Sequence, residues 1–214
     1  MAETTYREAL RLALTESMRS DPSIIILGEE VGKYGGAYGV TKGMLEEFGD
    51  ARIRDTPISE EVIVGAAVGA AMTGLRPVAE LMYIDFVTLA MDQLVNQAAK
   101  IRYMFGGQIG VPMVLRSQGG TGRSGAAQHS QSLEAWMMHT PGLHLAMPST
   151  VTDAYHLLKH SLTLNDPVVF LEHKGLYTLK GTLEPDKALP WGKAEVRRQG
   201  GDCTLVSYSR MIHL

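Results

Sequence analysis

Apolar positions along the chain alternate between helical spacing and short β-branched runs. Ala9, Leu10, Ala13 and Met18 lie on one side of a helix that Thr5-Tyr6-Arg7-Glu8 opens as a capping box. Asp21-Pro22 ends it. Ile24 to Leu27 reads as a short buried strand. A loop with the paired glycines Gly35-Gly36 follows, then a short helix ending near Gly49. Ser59 is placed to cap a helix from about Glu60 to Gly74. Gly65, Ala66, Gly69 and Ala70 give that helix a small-residue face. An interior glycine costs a helix about 1 kcal/mol relative to alanine, so a close neighbour, either backbone or ligand, is expected there.

The alternation continues with strands over Pro77 to Met82, Pro112 to Arg116, Leu143 to Met147 and Val168 to Glu172. Between them come a long helix from about Phe86 to Tyr103 and a helix from Leu133 to His139. A further helix, running to about Leu164, is opened by the capping box Thr150-Val151-Thr152-Asp153. Strands separated by helix-length segments predict an α/β fold: a mostly parallel sheet with helices on both faces. After Tyr177 the pattern changes. Thr182 to Arg198 reads as a linker with an extended piece, and Cys203 to Tyr208 as a new buried strand with no helix to cover it. The expected division is an α/β domain over 1–185, then a linker and the start of a truncated second domain over 186–214.

Composition narrows the function classes. Hydrophobic residues at 45% and charged residues at 20% are ordinary for a globular protein. A net charge of -3, with no arginine-rich stripe, gives no support to nucleic-acid or membrane binding. The single cysteine, Cys203, excludes a disulfide within the chain and fits a reducing compartment. Nothing near Met1 has the order of a secretory signal. Val62 to Thr73 is too short and glycine-rich to span a bilayer. A cytoplasmic location is expected. The 12 methionines read as core filling.

Two segments could carry chemistry. Asp55-Thr56-Pro57-Ile58-Ser59-Glu60-Glu61 sets two carboxylates in the first turn of a helix. They could simply offset the helix dipole, for about 0.3–1 kcal/mol each. Alternatively, one of them could be a buried acid that exchanges a proton with a heterocycle nitrogen. Desolvation would raise the pKa of such an acid against the pull of the dipole. His129 follows the glycine-rich segment Gly119-Gly120-Thr121-Gly122-Arg123-Ser124-Gly125. It suits proton transfer or anion binding, and equally a plain surface position. The glycine-rich segment lacks both the phosphate-loop Gly-Lys-Ser/Thr and dinucleotide spacing. Ser124, Ser130 and Ser132 lie near His129 without a Gly-x-Ser-x-Gly elbow, which argues against a hydrolase. His156 and His160 are four apart without the intervening glutamate of a zinc protease, and read as helix surface.

Five segments together resemble the β subunits of 2-oxo acid dehydrogenases. In order, they are Leu27-Gly28-Glu29-Glu30-Val31, Asp55-Thr56-Pro57-Ile58-Ser59-Glu60, Gly74-Leu75-Arg76-Pro77, Ala127-Gln128-His129-Ser130 and Asn165-Asp166-Pro167-Val168. The likeness covers essentially the whole chain. It implies a thiamine-diphosphate-binding domain of the pyrimidine type and, after it, a transketolase-like C-terminal domain. It also implies a heterotetramer of two α and two β chains, with the cofactor at the α/β interface. The α subunit would hold the diphosphate through Mg2+, and this chain would receive the aminopyrimidine. Consistently, the Gly-Asp-Gly diphosphate signature is missing here.

Glu60 matches the glutamate that hydrogen-bonds the pyrimidine ring nitrogen and promotes the tautomer from which the reactive ylide forms. Ile58 and Phe86 match residues lining the pyrimidine pocket. His129 matches a histidine near the substrate, suited to acid–base work or to guiding the lipoyl group. The main chain around Met113, Ser161, Leu162, Leu164 and Asp166 resembles a potassium site of some relatives, with Leu164 standing where those carry an acid. Ala79 to Phe86 and Arg102 to Gly107 resemble pyruvate and acetoin dehydrogenases more than branched-chain ones. The resemblance implies a dihydrolipoyl acyltransferase core as a further partner. Two rivals stay open: a non-catalytic module that only binds partner subunits, and a split transketolase-like enzyme. The second is disfavoured because no phosphosugar cluster of Arg and His is evident.

Overall fold

A computed structural model describes residues 3–122, 125–187 and 191–214. Ser124, one of the serines considered above, lies outside the described residues. Six parallel strands form the central sheet: β2 (Ile24–Gly28), β3 (Ile53–Asp55), β4 (Arg76–Leu81), β5 (Val114–Gly119), β6 (His144–Ala146) and β7 (Val168–His173). Their order across the sheet is β3-β2-β4-β5-β7-β6. A two-stranded antiparallel ribbon pairs β1 (Glu3–Thr5) with β8 (Lys180–Thr182).

Strand side chains alternate between two cores, as a pleat requires. Ile24, Ile26, Val78, Val114, Val168 and Phe170 face one core, with α1 (Tyr6–Ser20) and α6 (Val151–Ser161). Leu27, Ala79, Leu81, Leu115, Val169 and Leu171 face the other. That second core is covered by α3 (Glu60–Met72), a helical path from Ile84 to Met104, and α5 (Glu134–Met138). The expected α/β class with helices on both faces is what the chain adopts. Both predicted capping boxes form, at Thr5–Glu8 and Thr150–Asp153.

Several expectations need correction. The predicted helix from Phe86 to Tyr103 is three windings in series: a 3-10 helix (Ile84–Ala90), a π-helix (Asp92–Ala98) and α4 (Ala99–Met104). Periodicity sees the apolar side of such a path but not its pitch. Ser59 precedes α3 but makes no side-chain cap. The predicted strand from Cys203 to Tyr208 does not form; residues 203–208 pair with no strand among those described and stand exposed. A buried strand needs a ladder partner, and here only the 3-10 turn Ser209–His213 follows.

One buried ionic group braces the sheet. Arg116, on β5, donates to Glu172 at 2.6 and 2.7 Å and to Glu80 at 2.6 Å. The Tyr177 hydroxyl donates to Glu172 at 2.6 Å. Burial opposes the charge on Arg116, but Glu172 and Glu80 hold its guanidinium protonated and raise its pKa. Burial also raises the Tyr177 phenol. Glu80 stands opposite Arg116 in the β4–β5 register, so strand pairing itself delivers the first contact.

Candidate active site

The segments that carry the candidate residues all leave the carboxyl ends of parallel strands, where open α/β sheets bind ligands. Glu29 follows β2. Tyr83, Asp85 and Phe86 follow β4, the loop to His129 follows β5, and Lys174 follows β7. The turn after β2 is tight: a Cβ on Gly28 would lie 2.5 Å from the Glu80 carbonyl oxygen. Only glycine lets the backbones approach this closely. Asp55, at the end of β3, accepts from the amides of Gly32 and Lys33 and fixes the loop beyond.

Glu60 is the first residue of α3 and is only 7% exposed. This favours the buried-acid reading over the dipole-offset reading. Its neighbour Glu61 points outward and accepts from Gln93 at 3.0 Å. Glu29 is also buried. Burial, and then the charge of Glu60, push the Glu29 carboxyl above its ordinary range. Glu29 Oε1 is buried without a partner, as is Thr56 Oγ1. The small face of α3 meets the π-helix: a Cβ on Gly65 would touch Gln93 at 3.3 Å. The expected close neighbour is therefore protein, while Gly69 faces open space.

His129 sits in a short 3-10 turn, Ala127–His129. Its ring meets Tyr83 edge-on at 4.8 Å and Phe86 at 5.3 Å. His129 Nδ1 is buried without a partner. The structure thus brings His129 and Phe86 together, and Glu60 with Glu29. Ile58 is 80% exposed; it presents apolar surface rather than lining a pocket within this chain.

Tyr83, Asp85, Lys174 and Glu29 were not singled out from the sequence. Glu29 lies inside a segment that carries the resemblance, but helix-start carboxylates drew attention first. Asp85 and Lys174 gain meaning only from contacts with residues far away in the chain.

The predicted potassium ligands do gather near the entry to β7, but a positive charge is already there. Arg76 donates to the carbonyls of Leu162 at 3.1 Å and Leu164 at 2.9 Å, and to the Asn165 side chain at 2.7 Å. The Met113 carbonyl accepts from Val168 at 3.0 Å, and Asp166 pairs with Arg102 at 2.6 Å. As arranged, these residues do not fit a potassium ion. The His156 and His160 pair holds no metal set either. His156 Nε2 bonds the Glu184 carbonyl at 2.9 Å, and no metal-capable cluster exists among the described residues.

Residues 2–180 match the family described as transketolase, pyrimidine binding domain. The chain is 50% identical over 210 residues to the pyruvate dehydrogenase E1 component subunit beta of Rhizobium meliloti (strain 1021), covering 97% of this chain and 46% of that one. It is 47% identical to the acetoin:2,6-dichlorophenolindophenol oxidoreductase subunit beta of Cupriavidus necator, covering 96% of this chain and 64% of that one. Among solved structures, a split gene transketolase, an inactive beta4 tetramer, superposes with a TM-score of 0.78 at 20% identity over 96% of this chain and 63% of that one. That likeness is one of fold. The chain spans about half to two thirds of the length of these curated relatives. With a six-stranded parallel sheet, a buried acid opening α3 and a family match over most of its length, the chain belongs to the transketolase pyrimidine binding domain family.

Proposed function

We propose that this chain is the pyrimidine-receiving β subunit of a thiamine-diphosphate-dependent 2-oxo acid dehydrogenase, acting on pyruvate or a close analogue with an α subunit. The observation that carries the reading is Glu60, a buried carboxyl at the carboxyl edge of the sheet in a family of pyrimidine-binding domains. Helix-start acids that only offset a dipole have no need of burial.

The residues fit an aminopyrimidine. Glu60 supplies a carboxyl for a ring nitrogen, Phe86 an aromatic face and Ile58 apolar cover. Orphaned polar atoms on Glu29, Thr56 and His129 mark an edge built for a guest. Thiamine diphosphate, when bound, supplies the electron sink that lets a 2-oxo acid lose carbon dioxide. Glu60 would hold a proton at the ring nitrogen, and the low dielectric around it sharpens that contact. His129 would hold or move a proton beside the substrate. The exposure of Ile58 suits a surface that a partner completes. The α subunit would hold the diphosphate through Mg2+ in an α2β2 assembly, and the acyl group would pass to the lipoyl group of an acyltransferase core.

The test mixes the full chain with an α subunit, thiamine diphosphate, Mg2+ and pyruvate, and follows a dye acceptor. Turnover that needs both chains is expected. Glu60→Gln should lower it by about 100-fold or more with the assembly intact. Wild-type rates in that variant would refute the role of Glu60. Acetoin is the second substrate to assay, because the Cupriavidus relative is named for it. A stable α/β complex inactive on both would favour the interaction-module reading.

A further inference from the structure

The loop that carries His129 is gripped by two buried groups of opposite charge. Asp85, 4% exposed, lies in the 3-10 helix after β4. Its Oδ1 accepts from the amides of Ser130 at 3.2 Å and Gln131 at 3.1 Å. Lys174, 1% exposed, stands just beyond β7. Its ammonium donates to the His129 carbonyl and to Ser130 Oγ at 3.1 Å. It also lies 5.9 Å from the centre of the Tyr83 ring, the ring that packs against His129. Neither charge makes an ion pair among the described residues. A buried charge without a counter-charge is costly unless hydrogen bonds satisfy it. Here both sets of hydrogen bonds end on the same three residues. Two further ties close the grip: Gly120 N donates to the Gln131 carbonyl at 2.9 Å and Lys174 N to the Gly119 carbonyl at 3.1 Å.

We propose that Asp85 and Lys174 are positioning residues, a two-sided clamp that fixes residues 129–131 and so sets where the His129 ring stands. The proposal rests on the reading of His129 as a group that works beside the substrate. The geometry matches that task. The clamp takes up the loop's backbone groups and leaves the ring held only by aromatic edges, with Nδ1 still without a partner. A ring oriented in this way can offer its nitrogen to an incoming group without first giving up a bond. Asp85 Oδ2 is likewise unpartnered, so the acid has capacity beyond the two amides.

The test uses the full α/β enzyme and two readouts. The first is amide hydrogen exchange over residues 126–133. Asp85→Ala should speed exchange at Ser130 and Gln131 by about 10-fold or more, while strands β4 and β5 keep their protection. Lys174→Met should loosen the same segment, and Lys174→Arg should restore part of the protection. The second readout is kinetic: kcat should fall by about 10- to 100-fold, with the KM for the 2-oxo acid changing much less. Asp85→Asn, which keeps an acceptor oxygen, should lie between wild type and Asp85→Ala. Unchanged exchange at Ser130 and Gln131 would overturn the clamp. So would a uniform loss of protection across the sheet, because it would mean ordinary destabilisation. Wild-type inactivity on every 2-oxo acid would sink the functional reading instead, and the exchange result would still decide the clamp.

Discussion

Two clusters of buried charge lie on the same sheet and differ in completeness. Around Arg116, two carboxylates and the Tyr177 hydroxyl close on one guanidinium, and none of these side chains leaves a buried polar atom unpartnered. At the carboxyl edge, Glu29, Thr56, Asp85 and His129 each leave one buried atom without a partner. Closed networks fix a shape; partly satisfied ones are hard to keep unless something completes them. The contrast teaches that burial of charge alone does not locate a site. The unmet valence does.

Three experiments break or sharpen that contrast. The largest effect is expected from Arg116→Met, which strands Glu80 and Glu172 without a counter-charge. It should cost about 3–5 kcal/mol in a denaturant melt. A loss under about 1 kcal/mol would mean that the network is not the brace described here. Next comes Arg76→Met, which removes donors from the carbonyls of Leu162 and Leu164. About 1–3 kcal/mol is expected, and replacing potassium by sodium should leave the Tm of the parent unchanged. A parent Tm that depends on potassium would restore the ion site.

The smallest effect is at Glu29. Burial and Glu60 raise its folded-state pKa, so the folded chain holds this proton more tightly than the unfolded chain does. Stability therefore falls as pH rises through the interval above the ordinary carboxyl range. Glu29→Gln should be more stable than the parent at neutral pH, by no more than about 1 kcal/mol or roughly 2–4 °C in Tm. The difference should vanish in acid. A variant less stable at neutral pH would show that the ionised carboxyl has a partner.

The sheet was legible because apolar runs recur with turn chemistry between them, and most strands landed within two or three residues of their true limits. β5 extends to Gly119, past the expected end at Arg116, because its later positions Ser117 and Gln118 are polar yet buried. Strands β1 and β8 were invisible: Glu3-Thr4-Thr5 and Lys180-Gly181-Thr182 carry no apolar signal and exist by pairing with each other. Cys203 to Tyr208 shows the reverse, an apolar run with no ladder to join. At the site, Glu60 and His129 stood out because they fall in recognisable segments. Asp85 and Lys174 did not, since their meaning lies in contacts to a loop some 45 residues away in sequence.

The change of winding between Ile84 and Met104 bears on how this chain can tolerate length variation. A π turn is in effect an α-helix carrying an inserted residue. Deleting one residue within Asp92–Ala98 would let the path relax to α winding and turn everything after it by about 100°. Arg102 would swing away from Asp166, and Tyr103 and Met104, now exposed, would move to a different side. The segment therefore sets the phase of the surface beyond it. A relative one residue shorter here should display a different face to whatever packs against α4.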